Sequence, residues 1–379
     1  MQIDTFQLER SQSLWENTVA FNLTESGLHP FTLRELLSGE EIAALLDLPL
    51  GYGHTEGEPG LRAAIAALHP GAEPDQVLVT TGSSEANLLT VLSLLGPGDE
   101  MVFVTPNFMQ MPGIARALGA VAREVPLRLD GDRWHLDLDA VERAVTPRTR
   151  LISVCNPNNP TGAVLDEAER AGLAVVAARH GIVLHADEIY RGAERDGPET
   201  RTLFGAAPDV VVTGGLAKAM ALAGLRIGWM VAPRSLIDEA MRRQDYTTIG
   251  SNVLGQRLAM LSLAPERRAR IAERNRRLLQ RNIGHLADWI AGRPGIFDWV
   301  PPQAGAMAFL RYRLPMASEA LTHRLRETTG VFVVAGSWFG MEGHLRLGIG
   351  GEPGQFEQAL ARIDGFLRSE FGIVTPQAG

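Results

Sequence analysis

The middle of the chain alternates short apolar runs with stretches in which apolar residues recur every three or four positions. Short apolar runs rich in valine are typical of buried strands, and the second pattern is typical of amphipathic helices. Strands that alternate with helices predict a largely parallel sheet covered on both faces. The runs DQVLVTT, EMVFVTP, RTRLISVC, GIVLHAD and DVVVTGG therefore predict a large α/β domain, which we assign to residues 46–275.

The two ends of the chain have different patterns. Beyond the α/β segment, PERRARIAERNRRLLQRNIGHLADWIAG predicts a long polar helix, and FDWV, AMAFLRY, VFVVAG and HLRLGIG predict strands with helices between them. This order favours a smaller α+β C-terminal domain over residues 276–379. Residues 1–45 contain helix-like stretches without a core of their own, so we expect an arm that packs on the small domain and on the functional site.

Composition restricts the classes of protein that this chain can belong to. Its 379 residues are 45% hydrophobic, which is enough for two full-sized cores. Thirty-six basic and 44 acidic residues give a net charge of -8, which provides no overall attraction to nucleic acid or to an anionic membrane. The arginine-rich helix is interrupted by Glu266 and Glu273, which favours an exposed or domain-linking helix over nucleic-acid binding.

Cysteine content and hydropathy indicate the compartment. Cys155 is the only cysteine, so an intrachain disulfide is excluded. The N-terminus lacks the pattern of a signal peptide, and no apolar run approaches the roughly 20 residues that span a bilayer. These features predict a cytoplasmic protein without membrane association, and no metal site is predicted.

Three charged residues follow one another in a chemically meaningful order. Asp187 closes the run GIVLHAD, Lys218 lies in VVVTGGLAKAMALAGLRIGWM, and Arg226 follows eight positions later. In enzymes that use pyridoxal phosphate (PLP), a lysine amine forms a Schiff base with the cofactor aldehyde, an acid keeps the pyridine nitrogen protonated, and an arginine binds the phosphate. Each residue alone is more commonly a solvated surface group. Their order predicts a PLP site.

Polar residues at other predicted strand ends have both functional and structural interpretations. Gly82, Ser83 and Ser84 lie between a strand and a helix, where backbone amides and hydroxyls can bind a phosphate, but serine is also a common N-cap. Asn159 in NPNNPTG can donate to a phenolate oxygen on a cofactor ring, or the segment is only a rigid loop. Tyr190 follows the acid of HADEIYR by three positions, so both side chains can reach one ligand.

The segments TGSSEANLL, NPNNPTG, HADEIYR, GGLAKAMALAGLRIGW, AGSWFG and HLRLGIG resemble the ordered motifs of fold-type I, class I/II aminotransferases, from about residue 50 to residue 350. The combination of NPTG, DEIY and a lysine followed by arginine at this spacing is very improbable by chance. The resemblance implies an α/β fold with a mainly parallel seven-stranded sheet in the large domain. It also implies PLP as the cofactor.

The resemblance implies a role for each matching residue. Lys218 resembles the lysine that binds the cofactor covalently and shuttles protons, and Asp187 resembles the partner of the pyridine nitrogen. Arg226 resembles the phosphate ligand, for which the planar fork of arginine is well suited. The other implied cofactor contacts are the ring-oxygen donors Asn159 and Tyr190, the phosphate contacts Gly82, Ser83 and Ser84, and the ring-stacking Phe108, whose side chain can equally belong to the core.

Substrate and subunit contacts follow from the same resemblance. Arg346 in HLRLGIG matches the arginine that binds the substrate α-carboxylate, although it can also be a surface strand arginine. Gly27 lies where a backbone contact to the substrate is expected, and the resemblance implies that Asn159 contacts the substrate as well. Tyr52 in GYGHTEGEPG matches a tyrosine that reaches the phosphate in the neighbouring subunit. This implies a homodimer with active sites built across the interface.

The sequence departs from the family pattern in two places. Gly215 and Ala217 stand where many relatives have serines, the first of which donates to the cofactor phosphate, so Gly215→Ser is expected to tighten PLP binding. The segment NLTESGLHPFTLREL, residues 22–36, is similar to PLP enzymes of the capreomycidine synthase type, which cyclise hydroxylated arginine. His29 in this segment can act as an additional acid or base near the substrate, or it has only a packing role.

Two enzyme functions and one binding function are consistent with these observations. The leading hypothesis is an aminotransferase acting on an L-amino acid and a 2-keto acid. The alternative is a PLP-dependent elimination, replacement or cyclisation of a substituted amino acid, such as a hydroxylated arginine. A third hypothesis is a regulator built on a PLP fold, but such regulators carry an N-terminal DNA-binding domain, and the first 45 residues lack a winged-helix pattern.

Overall fold

The computed structural model describes residues 2–373. In chain order, its strands are β1 (Phe21–Asn22), β2 (Val77–Thr80), β3 (Glu100–Thr105), β4 (Val121–Pro126), β5 (Arg128–Asp130), β6 (Arg133–His135), β7 (Thr149–Cys155), β8 (Val183–Asp187), β9 (Val210–Gly215), β10 (Gly228–Val231), β11 (Phe297–Trp299), β12 (Met307–Tyr312), β13 (Val331–Phe332), β14 (Val334–Ala335) and β15 (His344–Gly348). Its α-helices are α1 (Gln7–Trp15), α2 (Leu33–Leu36), α3 (Gly39–Leu46), α4 (Pro59–Ala66), α5 (Ser83–Leu94), α6 (Gln110–Ala117), α7 (Leu138–Ala144), α8 (Glu167–His180), α9 (Arg234–Gln244), α10 (Val253–Leu263), α11 (Pro265–Ala291), α12 (Ser318–Thr329) and α13 (Pro353–Phe371).

Seven strands form the central sheet in the order β2-β10-β9-β8-β7-β3-β4. β10 is antiparallel to both of its neighbours, and all the other pairs are parallel. β3, β9 and β10 are buried at every position, as expected for strands that are covered by helices on both faces. The prediction of an α/β fold with a mainly parallel seven-stranded sheet is confirmed.

The carboxyl ends of the parallel strands lie at one edge of this sheet. Cys155 at the end of β7 pairs with Asp187 at the end of β8, and β9 lies on the other side of β8. Gly228, the first residue of antiparallel β10, pairs with Gly215 at the end of β9 and with Thr80 at the end of β2. The loops that follow these strands therefore meet at one edge, which is where open α/β sheets bind ligands.

The C-terminal part contains a second, antiparallel sheet of four strands in the order β11-β12-β15-β14. Helices α11, α12 and α13 contribute Leu286, Leu321 and Phe356 to a second core. β1 pairs in parallel with β13, so the N-terminal segment joins the C-terminal part. The predicted boundary between residues 275 and 276 falls inside α11, a continuous helix of 27 residues. The division into three segments stays a prediction.

The polar surface of α11 contacts other parts of the chain. Arg267 donates to Glu41 at 2.7 Å, and Arg274 donates to the backbone carbonyl of His29 at 2.5 Å. The N-terminal segment is thus attached to this helix through its arginines. Of the helices within residues 2–373, none combines the length and the apolar character needed to cross a membrane.

Candidate active site

A cavity of about 260 Å³ opens at the carboxyl edge of the central sheet. The loops that follow β2, β3, β7, β8 and β9 contribute to its wall, together with β15 and residues of the N-terminal segment. The sequence-predicted residues that line it are Ser83, Ser84, Phe108, Asn159, Asp187, Tyr190, Lys218, Arg226 and Arg346. Side chains that are distant in the sequence therefore share one space large enough for a ligand.

Asp187 is held by a buried chain of hydrogen bonds. Asn87 Nδ2 donates to Asp187 Oδ2 at 3.0 Å, and the backbone N–H of Ile189 donates to Oδ1 at 3.1 Å. Asn87 Oδ1 accepts a hydrogen bond from Thr213 Oγ1 at 2.7 Å, and Thr213 lies 3.0 Å from His185 Nε2. Burial lowers the pKa of His185 to about 3, so this ring is neutral. The network orients the Asp187 carboxylate.

The Asp187 carboxylate suits a cationic partner. Burial raises its pKa, and the hydrogen bonds and the nearby Lys218 charge oppose this shift only in part. No ion pair within residues 2–373 neutralises this carboxylate. A buried carboxylate is stabilised by a hydrogen-bonded cation, and a protonated pyridine nitrogen is a cation of this kind.

A second part of the cavity suits an anion. α5 begins at Ser83 after Gly82, whose φ of 80° favours glycine. The first N–H groups of a helix attract anions, and here they belong to Ser83 and Ser84. A Cβ added to Gly82 would lie 2.6 Å from Arg226 Nη2, so this guanidinium lies beside the helix start. Arg226 forms no ion pair within the described part of the chain. Together these groups fit a phosphate.

The strand that leads to Lys218 leaves no room for a side chain at Gly215. A Cβ added there would lie 2.9 Å from the carbonyl oxygen of Ile227 and 3.1 Å from Cα of Gly228. Both are backbone atoms, so neither can move away by a rotamer change. A serine therefore does not fit without displacing the sheet, which differs from the expectation that Gly215→Ser tightens PLP binding. Ala217, in contrast, lines the cavity.

We expect Gly215→Ser to lower the free energy of unfolding by about 1–3 kcal/mol, as overpacking usually does, and to leave PLP binding no tighter. Urea unfolding and equilibrium dialysis with PLP measure the two quantities. Gly113→Ala is a suitable control, because an added Cβ meets nothing within 4 Å there. A Gly215→Ser protein of normal stability with tighter PLP binding would contradict the packing seen at this position.

Lys218 contacts the N-terminal segment. Its Nζ donates to Glu25 Oε1 at 2.6 Å, and the backbone N–H of Gly27 donates to the same oxygen at 2.6 Å. The Lys218 charge lowers the pKa of Glu25 to about 2. A Cβ added to Gly27 would lie 3.1 Å from the carbonyl oxygen of Ala217, so the segment packs closely against the loop that carries the lysine.

Arg346 is a buried cation with a free donor. It is 1% exposed, its Nη1 donates to Asn159 Oδ1 at 2.8 Å, and its Nη2 donates to the carbonyl oxygen of Thr24 at 2.6 Å. Its Nε has no partner, and within residues 2–373 no carboxylate pairs with it. Burial lowers the pKa of Arg346. A ligand carboxylate would both neutralise this charge and accept from the free N–H.

Two aromatic side chains also line the cavity. The hydroxyl oxygen of Tyr190 lies 2.8 Å from Ser26 Oγ, and burial raises the pKa of Tyr190, so its hydroxyl stays protonated and can donate. Phe108 packs edge-on against Phe6, with 4.8 Å between the ring centroids. Phe108 also lines the cavity. Its ring is therefore available to a ligand and also contacts the hydrophobic core.

Comparison with known proteins agrees with this arrangement. Residues 43–363 match the family model of aminotransferase class I and II. The chain belongs to this family. The enzyme is therefore PLP-dependent and aminotransferase-like, and the predicted family and cofactor are confirmed. Its Asp187 suits the ring nitrogen of PLP, Lys218 the aldehyde, and Arg226 with the start of α5 the phosphate.

Individual relatives of this aminotransferase-family enzyme cover most of its length. Capreomycidine synthase from Streptomyces vinaceus is 34% identical over 351 residues, which cover 90% of this chain and 88% of the relative. The crystal structure of a PLP-dependent aminotransferase from Streptococcus suis has a TM-score of 0.91 at 29% identity and covers 97% of this chain and 99% of that chain. The PLP-dependent cyclase OrfR has a TM-score of 0.89 at 28% identity and covers 97% of this chain and 98% of that chain.

Two predicted residues lie away from the cavity of this aminotransferase-family enzyme. His29 is exposed, and its backbone N–H donates to the carbonyl oxygen of Gly350 at 2.7 Å. Tyr52 is 97% exposed and lines a separate surface groove with Leu50 and Ile249. A single chain therefore does not bring His29 or Tyr52 to the other site residues, whereas Gly27 lies beside Lys218.

Sequence reasoning left several residues of the enzyme's cavity without a role. Asn87 lies in TGSSEANLL and Glu25 in the ESG segment, but they contact partners 100 and 193 positions away. Glu9 and Glu16 also line the cavity. Their spacing of seven positions places them on one face of a helix. This spacing is the one local feature of the sequence that could have indicated that both side chains face the same site.

Proposed function

We propose that this enzyme transfers the amino group of an L-amino acid to a 2-keto acid, with Lys218 and Arg346 acting on the substrate and Asp187 acting on the cofactor. The observation that carries the proposal is the single cavity that all three residues line. When bound, PLP supplies an aldehyde for the amine and an electron sink for negative charge at the substrate α-carbon. The remaining tasks belong to side chains of this chain.

Proton transfer is the proposed task of Lys218. It is the only lysine in the sequence. Its neutral amine would remove the proton from the substrate Cα and return it at the adjacent cofactor carbon. Glu25 Oε1 accepts a hydrogen bond from Nζ at 2.6 Å and so orients the amine. Asp187 would hold a proton on the ring nitrogen.

Orientation is the proposed task of the other polar residues. The free Nε of Arg346 would bind the α-carboxylate and so fix Cα relative to Lys218. Asn159 accepts from Arg346 at Oδ1, which leaves its amide N–H groups to donate to the cofactor. The remaining proposed contacts are Tyr190 to the ring oxygen, Phe108 to the ring face, and Gly82, Ser83, Ser84 and Arg226 to the phosphate.

We also propose a homodimer in which Tyr52 reaches the phosphate site of the partner subunit. Tyr52 is 97% exposed, and Leu50 and Ile249 in the same groove are 80% and 50% exposed. Contiguous exposed apolar side chains are typical of interaction surfaces. A second copy of the chain would bury them and bring the Tyr52 hydroxyl to an anion. The cytoplasmic location stays a prediction.

Tyr52→Phe should keep the dimer but weaken PLP binding by about tenfold to a hundredfold, the effect of losing a hydrogen bond to a charged group. Light scattering and equilibrium dialysis measure the two properties. Tyr246→Phe is the matched control, because Tyr246 is 92% exposed and does not line this groove. A monomeric native enzyme, or equal PLP affinity in the two variants, would contradict the shared site.

A second candidate function is cyclisation or elimination of a substituted amino acid. It is favoured by the similarity to capreomycidine synthase and to the cyclase OrfR over nearly the whole chain. The position of His29 does not add support, because this exposed side chain does not line the cavity. Both functions use the same lysine and the same cofactor.

The requirement for a keto acid decides between the two functions. The purified PLP-loaded enzyme is incubated with a panel of amino acids, including hydroxylated arginine, with and without a 2-keto acid, and the products are identified by mass spectrometry. Transamination requires the acceptor for repeated turnover and yields a keto acid from the donor. Sustained turnover of hydroxyarginine without any acceptor would reject the aminotransferase proposal in favour of cyclisation.

A further inference from the structure

One face of α1, continued by its C-cap residue Glu16, presents carboxylates to the cavity. Glu9, Gln12 and Glu16 follow one another at intervals of three and four positions, and all three line the cavity. This spacing places them on one side of a helix, with Glu9 and Glu16 about 10 Å apart along its axis. Leu8 is 2% exposed, so α1 is anchored by its apolar side.

Hydrogen bonds place this face beside the predicted carboxylate site. Gln12 Nε2 donates to the carbonyl oxygen of Thr24 at 3.1 Å and to its hydroxyl at 3.0 Å. Arg346 Nη2 donates to the same carbonyl oxygen at 2.6 Å. Gln12 and Arg346 therefore share an acceptor, and the carboxylates one turn to either side of Gln12 are close to a substrate held by Arg346.

The charges that line the cavity are not balanced. Its four acidic side chains are Glu9, Glu16, Glu25 and Asp187, and its three basic side chains are Lys218, Arg226 and Arg346. Glu25 is paired with Lys218, and the other two cations are assigned above to the cofactor phosphate and the substrate carboxylate. Asp187 is assigned to the ring nitrogen. Within residues 2–373, Glu9 and Glu16 have no ion pair.

The surroundings of the two unpaired carboxylates disfavour their negative charge. The side chain of Glu9 is partly exposed to solvent, and loss of water from the rest of its surface raises its pKa; the Lys218 and Arg346 charges oppose this shift, and Glu25 and Glu16 add to it. Burial and the charge of Glu25 likewise raise the pKa of Glu16. A positive charge between Glu9 and Glu16 would stabilise both carboxylates, whereas a second negative charge on a substrate would be repelled.

We propose that Glu9 and Glu16 bind the cationic end of the substrate side chain, so that the amino donor carries a guanidinium or an ammonium group. The inference rests on the proposed function, since it assumes that the α-carboxylate binds at Arg346. An observation independent of the acids supports a ligand here, because the Nε of the 1% exposed Arg346 has no partner in the same cavity. Dicarboxylic amino acids are disfavoured donors.

The test compares substrates that differ only in side-chain charge. Arginine and citrulline have the same length, but citrulline carries a neutral ureido group, and lysine and norleucine form a second pair. With pyruvate as the acceptor throughout, we expect kcat/KM to favour the cationic member of at least one pair. A larger preference within the arginine pair identifies a guanidinium site, and a larger preference within the lysine pair identifies an ammonium site.

Variants in which glutamine replaces glutamate test whether Glu9 and Glu16 cause the preference for cationic substrates. The double variant Glu9→Gln/Glu16→Gln should lower the preference for the cationic substrate by about tenfold to a hundredfold, the effect of removing a charged hydrogen-bond partner. Glu40→Gln is the matched control, because this exposed acid on α3 does not line the cavity. Equal use of charged and neutral substrates by the native enzyme, or a preference that the double variant retains, would overturn the inference.

An equilibrium measurement separates this inference from the proposed function. Each amino acid is titrated into the PLP-loaded enzyme without an acceptor, and binding is followed by the absorbance of the cofactor. Weaker binding of the cationic substrate by the double variant, at an unchanged melting temperature, supports the inference. If no amino acid changes the absorbance, the proposed function fails. If neutral and cationic amino acids bind equally well, only the inference about Glu9 and Glu16 fails.

Discussion

Replacing Lys218 with alanine should abolish covalent attachment of PLP and slow transamination by roughly 10³-fold or more, because cofactor attachment and proton transfer are lost together. Lys218 is the only lysine in the sequence, so the variant has no side-chain amine at all. Borohydride reduction followed by unfolding and mass spectrometry measures the attachment. In the native enzyme, the added mass should map to the peptide that contains Lys218.

Lys218→Arg is the matched control for this prediction. It keeps a positive charge beside Glu25, but a guanidinium stays protonated and cannot replace the amine as nucleophile or base. Both variants should therefore lose attachment, whereas the arginine variant should better preserve the packing of the N-terminal segment. PLP that remained bound to unfolded Lys218→Ala protein after reduction would show that the assignment is wrong.

Asp187→Asn should slow removal of the substrate α-proton by about 10²- to 10³-fold, the usual effect of removing one group that stabilises charge in a reaction. A neutral amide cannot keep the ring nitrogen protonated, so less negative charge can be delocalised from Cα. Exchange of the α-hydrogen with deuterated solvent measures this step. Asn87→Ala should have a smaller effect, because it removes one hydrogen bond to Asp187 and leaves the carboxylate in place.

The same substitution should change the pH dependence of stability in the cofactor-free protein. Burial raises the pKa of Asp187 in the folded state above its ordinary value of 3.8, so the folded protein binds this proton more strongly than the unfolded chain does. Stability should therefore fall as the pH rises from 3.8 through the folded pKa. Urea unfolding at a series of pH values measures the free energy of unfolding. Over this pH interval, the free energy of unfolding of the native protein should fall relative to that of Asp187→Asn, and bound PLP should restore the stability of the native protein. A difference that is independent of pH would show that Asp187 is not perturbed by burial.

Much of the site could be predicted because its chemistry lies at the ends of recognisable strands. Apolar runs ending in Asp187 and Gly215 predict parallel strands, and parallel strands deliver their terminal residues to one edge. Asn159 and Lys218 follow such strands within four residues, and Arg226 lies at a fixed spacing of eight positions after Lys218. Local sequence is sufficient here because strand periodicity and turn residues are local properties. The family, the cofactor and the mainly parallel sheet follow from these segments and their order.

Tertiary structure decided the contacts between segments that are distant in the sequence. Glu25 reaches Lys218 from 193 positions away, and Asn87 reaches Asp187 from 100 positions away. These pairs depend on β10 lying between β2 and β9 and on β1 joining β13, neither of which local periodicity specifies. From the sequence alone, Gly215 is a position where many family members have a serine. In the structure, the backbone of Ile227 occupies the space where a side chain at this position would lie.

The charges that face the substrate also depend on the tertiary structure. Glu9 and Glu16 occur in the sequence as acids of a polar helix, which are usually solvated. Only the hydrogen bonds of Gln12 and Arg346 to Thr24 place them beside the predicted carboxylate site. The sequence by itself therefore determined the fold, the cofactor and the residues proposed to bind it, because short segments carry those signals. The packing of the N-terminal segment decided which charges face the substrate, because an electrostatic environment depends on every element that surrounds it.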